Sequence, residues 1–457
     1  MLRSYIENNT IIPPEIEDGN IEYKQRLDQK DKNKIKKMAS QMLWRLNEGK
    51  FNTGKSQAHY FIGINDNGDI AKMYEDVINI SIEIINEVAQ RCKAEISNID
   101  KIYINEYCVA EIIVCRRANG NFIKESRVCF LGQSGHGKTT LISHLTYNQL
   151  DNGNGLARSL VLKHTHEQNS GLTSSIKHDI IGLNSKKEIV NYKYGIYCNW
   201  ENIVLNSEKI IALTDLPGMD RFYKTTLYGL FSLKPHFNII IISPHDCQNN
   251  NEFIIADEII NNIKINISLN IPFIIIFTKY DLYQTDENFI EKIDQVIKSF
   301  TLERNLYEFN NEIKDNLLNI PYIYISSING YNYHLLLKLI DFYSEKYNNK
   351  NKNTEKFIKE RTDTEFVIHD SYIIPNRGNM VYGILNSGQI NINENYLLGP
   401  INEKFYPISI GTIHKKQIDS KNIYPDESAS IEIKLKTELE ITKNMYIVKS
   451  EKQLDLH

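Results

Sequence analysis

RVCFLGQSGHGKTTLISHLTYNQL, residues 127–150, is the stretch whose reading decides the fold. A short apolar strand (128–131) runs into a loop from Gly132 to Gly137, and a helix opens on Lys138, Thr139 and Thr140. This is the spacing G-x-x-x-x-G-K-T. In it the loop N–H groups converge on phosphates, the lysine reaches the β- and γ-oxygens, and the following hydroxyl ligates Mg²⁺. Gly132, Gln133, Ser134, Gly135, His136 and Gly137 therefore form the expected cradle, with Gly135 and Gly137 chosen because a Cβ there obstructs close backbone approach. A glycine-containing surface turn before an ordinary helix would share the pattern. The strand before it and the helix after it favour the cradle.

Around this stretch, strands are expected at 128–131, 202–205, 210–215, 237–243, 273–278 and 322–326, and helices near 138–149, 252–265, 287–301 and 333–346. Strands alternating with helices imply a mostly parallel α/β sheet covered on both faces, here over residues 125–348. FNIIIIS (237–243) and IPFIIIF (271–277) are too short for the ~20 residues of a membrane-spanning helix and suit strands buried on both faces. Ligands of such a sheet sit beyond the carboxyl ends of its strands.

On the amino-terminal side, residues 1–124 read as a small α/β region. Its first 20 or so residues, with Pro13-Pro14, are expected to form a mobile or extended tail. Ile35, Met38, Met42 and Leu46 recur at helical spacing within an expected helix over 21–48, whose basic run KDKNKIKK (30–37) is either a solvated face or a contact for RNA or an acidic partner. A strand at 60–64, a helix at 78–92 and strands at 101–105 and 109–116 follow. On the carboxyl side, a polar linker (349–364) leads to short alternating strands over 365–457, punctuated at Gly383 and Ser387-Gly388, which suggest a small closed β-barrel.

The bulk numbers exclude several classes. Net charge −4 and a pI near 6.3 give no overall nucleic-acid signature. Six cysteines without a C-x-x-C pair point to free thiols in a reducing compartment, not to disulfides or zinc. No basic stretch precedes an apolar core at the amino terminus, so no signal peptide and no membrane association are expected.

Three further loops carry chemistry. The strand ending at Asp215 runs into Leu216, Pro217 and Gly218; a carboxylate there can hold Mg²⁺, and the Gly218 N–H can bond a γ-phosphate. TKYD (Thr278, Lys279, Tyr280, Asp281) supplies a carboxylate that accepts two hydrogen bonds from the guanine ring N–H and exocyclic amine, with the Lys279 stem packed along the nucleotide. Adenine would leave that carboxylate unpaired, which disfavours an ATP-using kinase. ISSING (325–330) follows, where Ser326, Ser327 and their backbone can reach the guanine carbonyl. Upstream, HEQNSGLTSSIKHDIIG (166–182) is a candidate switch loop, with Thr173 able to complete the metal shell.

With QMLWRLNEG, YFIGINDNG, SGLTSSIKHDIIG, DLPG followed by Lys224-Thr225-Thr226, TKYD, ISSING, IPNRGNMVYGILNSGQI, NYLLGP and IGTIHKK, the chain resembles the GTP-binding-protein-1 group of GTPases, relatives of elongation factors Tu and 1A. The resemblance implies a translation-factor-type, Mg²⁺-dependent, cytoplasmic GTPase with GTP and GDP as ligands. It fixes Thr173 as the switch-loop threonine, so Thr139, Thr173 and Asp215 form the metal set, and it identifies the carboxyl-terminal strands as a domain II-type barrel. Three departures stand out. Gly135 replaces an aspartate. Met219 replaces the histidine that orients the attacking water, so hydrolysis is expected to be slow, with Asp220 as an alternative group. The chain ends at His457, about where the family begins a second barrel, and the resemblance implies, as an expectation, the loss of surface that related factors use for aminoacyl-tRNA. The two readings are a translation-type GTPase working with ribosome, tRNA or other RNA, and a GTP-dependent RNA- or protein-binding module with little hydrolysis.

Overall fold

In the computed structural model the two all-apolar runs become Phe237–Ile242 and Phe273–Phe277, buried at every position in the middle of a seven-stranded sheet. The structure describes the chain apart from residues 28–31, 54–55, 117–123, 163–164, 194–198, 250–251, 283–286, 302, 311–318, 360–362, 375–377, 393, 436–438 and 450–457. It divides into two compact units, one of residues 122–360 and the other of residues 1–121 with 361–457.

In the first unit, label the strands β1 (Lys124–Leu131), β2 (Lys177–Leu183), β3 (Lys209–Asp215), β4 (Phe237–Ile242), β5 (Phe273–Phe277), β6 (Asn305–Glu308) and β7 (Asn319–Tyr324). Their order is β6-β7-β5-β4-β1-β3-β2, parallel except for the β2–β3 edge pair. Val128, Phe130, Ile239, Ile241, Ile274, Ile276 and Ile323 pack against Leu141, Leu145, Leu336 and Leu339 of two helices, Lys138–Tyr147 and Tyr333–Lys359. Such apolar burial stabilises by about 25 cal/mol per Å².

The sequence expectations need correction at several places here. Residues 202–205 are not a strand: Trp200–Leu205 is a helix, capped by the Asn199 side chain accepting from the Asn202 N–H at 2.9 Å. A short apolar run fits either period, and the cap decides it. The edge strands β2 and β6 and the helix Tyr223–Ser232 go unseen in the pattern. The last helix continues to Lys359, through most of the stretch read as a linker.

The second unit contains a four-stranded sheet, in the order Ile21–Lys24, Gln57–Ile62, Tyr107–Arg116 and Ala94–Ile104, with helices Lys32–Thr53 and Glu75–Arg91 packed on it. Residues 21–24 are thus a strand and not the start of a helix. Glu22 points inward, where Arg45 donates to it at 2.7 Å. The tail is also anchored: Leu2 and Ile12 are buried with Tyr23, Phe61 and Val109, and the Leu2 N–H donates to Glu111 at 2.8 Å. The basic run begins outside the described residues.

In the same unit, six antiparallel strands close a barrel: Glu365–Ile374, Gly378–Ser387, Ser428–Leu435, Lys404–Lys415, Asn395–Ile401 and Tyr446–Lys449. The core holds Phe366, Ile368, Leu385, Tyr396 and Ile447. Gly383 lies inside a strand and not in a turn; a Cβ there would stand 2.0 Å from the Val367 carbonyl oxygen, at an irregularity in the pairing. The Ser56 N–H donates to Asp419 at 2.8 Å, joining the amino-terminal sheet to the barrel.

Candidate functional site

Register determines where the loops emerge. Phe130 lies opposite Asp215, Leu131 opposite Ile240, and Phe277 opposite both Ile242 and Tyr324, so the carboxyl ends of β1, β3, β4, β5 and β7 share one edge. The phosphate loop, Leu216–Gly218, Thr278–Asp281 and residues 325–330 all leave from that edge. Because β2 runs antiparallel with Lys177 opposite Asp215, the segment bearing Thr173 enters there too.

The phosphate-loop backbone is fixed by contacts from its neighbours. Ser134 N–H donates to Gly218 O at 2.7 Å, and the Thr278 hydroxyl donates to His136 O at 2.7 Å. Gly132, Gly135 and Gly137 all have positive φ. Within the protein a Cβ on Gly135 would meet nothing within 4 Å, so the conformation, and not crowding by the chain, calls for glycine there. Crowding falls instead on Gly218, where a Cβ would stand 2.3 Å from Lys138 Nζ and 2.4 Å from Gly132 O. His136 is buried and receives the Ser243 N–H on Nδ1 at 3.3 Å; burial and then Lys138 push it down to about 4, so it is neutral at pH 7.

Lys138 is buried, donating to Gly132 O at 2.6 Å and Gln133 O at 3.0 Å. Burial brings it down to about 8, while Asp215 opposes that shift. The Thr139 hydroxyl lies 2.8 Å from that of Thr173 and donates to Asp215 Oδ2 at 2.6 Å; Thr173 reaches the same oxygen at 3.3 Å. Asp215 Oδ1 is buried without a hydrogen-bond partner among the described residues, and burial raises this carboxyl above its ordinary value. Two hydroxyls and a carboxylate with an unsatisfied oxygen fit a Mg²⁺ that takes its remaining ligands from phosphate and water. Among the described residues no group of three or more His, Cys, Asp or Glu could hold a metal by itself.

At the other end, Asp281 is exposed and accepts from the buried Ser326 hydroxyl at 2.5 Å. Tyr280 stacks on Tyr331 with centroids 4.8 Å apart, and Lys279 pairs with Asp246. The Ser326 hydroxyl thus orients Asp281, and the Ser327 hydroxyl bonds to the Tyr333 hydroxyl at 3.0 Å, so neither is turned out as a separate donor. Leu216 and Pro217 are buried, and Pro217 O accepts from Thr226 at 2.6 Å. Thr140 lines the phosphate-loop cavity with Ser134 and Gly135; Met219 is half-buried at the next turn, its carbonyl accepting the Phe222 N–H at 2.8 Å.

Two acids escape the sequence reading. Glu167 is fully buried, accepts from the Ser174 N–H at 2.9 Å and its hydroxyl at 2.8 Å, and forms an ion pair with Lys177 at 2.6 Å. Against the effect of burial, Lys177 and Ser174 hold it at about 2, and it ties down the chain on both sides of Thr173. Only its position in HEQNS signals it. Glu258, in the first turn of Asp257–Ser268, is pushed up to about 7 by burial and then by the Asp220 carboxyl, with Lys138 opposing. Between its ordinary 4.5 and this value the unfolded chain is ionised while the fold keeps the proton, so stability falls as pH rises through that window. Glu258→Gln is expected to raise the melting temperature at pH 8 and to lose that advantage toward pH 4. Melts showing the same difference at both pH values would refute it.

Residues 124–346 match the family model described as "Elongation factor Tu GTP binding domain". GTP-binding protein 2 of Mus musculus and of Homo sapiens is 28% identical over 441 residues, covering 93% of this chain and 70% of the relative. GTP-binding protein 1 of Xenopus laevis is 27% identical over 415 residues, covering 86% of this chain and 60% of the relative. Among solved structures, the S. cerevisiae Ski7 GTPase-like domain bound to GDP and inorganic phosphate aligns with a TM-score of 0.50 at 16% identity, over 72% of this chain and 75% of that one, a likeness of fold alone. No helix among the described residues is long and apolar enough to cross a membrane.

Proposed function

We propose, from the premise that this chain is a translation-factor-like GTP-binding protein whose residues 124–346 are an elongation factor Tu-type GTP-binding domain, that it binds GTP and GDP with Mg²⁺ and hydrolyses GTP slowly. The observation that carries this is that the Thr139 and Thr173 hydroxyls meet on Asp215 Oδ2, leaving Oδ1 buried with no hydrogen-bond partner among the described residues, while Lys138 lines the same cleft as the two threonines. Thr139, Thr173 and Asp215 would hold the metal, which when bound neutralises charge on the β- and γ-phosphate oxygens.

The chain's own residues do the rest. Loop N–H groups and Lys138 bind the polyphosphate, the Gly218 N–H bonds the γ-phosphate, and Asp281, oriented by Ser326, selects guanine. In hydrolysis a water oxygen bonds to the γ-phosphorus, the bond to the β-bridging oxygen breaks, and GDP, phosphate and a proton leave. Met219 bears on the rate: a thioether is at best a weak acceptor and cannot orient that water as imidazole does. Met219→His is expected to raise the single-turnover rate about tenfold or more with GDP affinity unchanged, on the scale of a positioned acid–base group. An unchanged rate would sink the explanation.

Met219 also favours a second reading, a GTP-dependent module that recruits an RNA, ribosome or protein partner with little turnover. Single-turnover hydrolysis with and without ribosomes separates the two. Cys92, Cys108, Cys129 and Cys247 are free thiols, which supports a reducing, cytoplasmic setting.

A further inference from the structure

We infer that Arg158 supplies, from within the chain, a second cation beside Lys138 to the terminal phosphate of a bound guanosine triphosphate, and so favours triphosphate over diphosphate. The inference rests on the GTP reading above. Arg158 belongs to the short helix Leu156–Ser159, between the phosphate-loop helix and the segment bearing Thr173. It lines the same cleft, of about 50 Å³, as Gly135, Lys138, Thr139, Thr173 and Gly218. The last two are the groups that address a γ-phosphate.

Two glycines make room for the guanidinium. A Cβ on Gly155 would stand 2.4 Å from Arg158 Nε, and one on Gly171 would stand 2.9 Å from Arg158 Cζ. Gly171 is two residues before Thr173, so the planar group rests on the backbone of the loop that carries the switch hydroxyl. Arg158 is half-buried, and among the described residues no carboxylate pairs with its side chain and no hydrogen bond to it is formed. Its five N–H donors are therefore uncommitted in a polar cleft that already holds a buried lysine. Among the described residues no carboxylate lines that cleft; Asp215 is buried, with Thr139 and Thr173 on its Oδ2. Two cations around one cleft, with so little negative charge between them, fit a polyanion, and the guanidinium fork matches two phosphate oxygens at once. In phosphoryl transfer such an arginine neutralises charge that grows on the transferred group. That task differs from orienting water, so Arg158 does not replace the imidazole missing at Met219.

The test is titration of the full chain with GDP and with GTPγS, for the parent, Arg158→Gln and Arg158→Lys. The Gln variant is expected to bind GDP within about twofold of the parent and GTPγS about tenfold or more weakly, with Lys, which keeps the charge but not the fork, in between. Retained GDP affinity also reports that the variant is folded. Unchanged affinity for both nucleotides overturns the inference, and so does an equal fall in both, which marks Arg158 as a support for its loop. A parent that binds neither nucleotide overturns the GTP reading itself, a failure seen in the parent and so distinct from the other two.

Discussion

Lys138→Met is expected to weaken GDP and GTP binding by roughly a hundred- to a thousandfold while leaving the melting temperature of the nucleotide-free protein almost unchanged. Removing one partner of a buried, hydrogen-bonded charge pair costs about 2–5 kcal/mol, and each 1.4 kcal/mol is about tenfold in affinity. The cost to the fold is small because the ammonium is itself poorly placed there. Burial brings it down to about 8, which marks a charge held away from water at a price in stability at pH 7. Methionine keeps the apolar stem and drops that charge; the loss is the two bonds to Gly132 O and Gln133 O. Fluorescence titration with a labelled GDP, set beside thermal melts, checks both halves. Nucleotide affinity within about threefold of the parent would show that the phosphates lie elsewhere.

Asp281→Asn is expected to exchange base preference, lowering GDP affinity by about a hundredfold or more and raising that for xanthosine diphosphate. In the proposed site the aspartate would accept from both the guanine ring N–H and its amine. An asparagine offers one acceptor and one donor, which leaves the amine facing an N–H₂ but suits xanthine, whose carbonyl replaces the amine. A desolvated group left without its partner costs about 1–3 kcal/mol, more when charge is involved, which sets the size of the effect. The Ser326 hydroxyl can still donate to the amide oxygen, so the side chain keeps its orientation. Competition of GDP and xanthosine diphosphate for the variant is the measurement, and an unaltered ratio would mean that Asp281 does not read the base.

Much of this was legible in the linear chain because the information is local. The phosphate loop, DLPG, TKYD and ISSING are each short contiguous stretches, and the all-apolar runs at Phe237–Ile242 and Phe273–Phe277 announce strands buried on both faces. Where the pattern misleads, the missing information is non-local or short-range and ambiguous. Asn-Ile-Val-Leu at 202–205 fits a strand as well as a helix until the Asn199 cap is seen. Ile21–Lys24 reads as helix until Gln57–Ile62 lies beside it and Arg45 meets Glu22. The amino-terminal tail has a composition suited to mobility, yet Leu2 and Ile12 find a cluster assembled from residues as distant as Val109.

By itself the sequence determined a P-loop α/β domain followed by a barrel and the order of the loops proposed to hold phosphate and guanine, since spacing within a loop and the period of apolar residues are properties of neighbours along the chain. Only the tertiary structure decided that the Ser326 hydroxyl is spent on Asp281, that Glu167 anchors the segment around Thr173, that Glu258 shares its surroundings with Asp220, and that Arg158 faces the cleft of Lys138. The reason is physical: a side chain's partners, burial and charge are set by whichever strands and helices the sheet brings beside it, and separation along the chain carries no record of that.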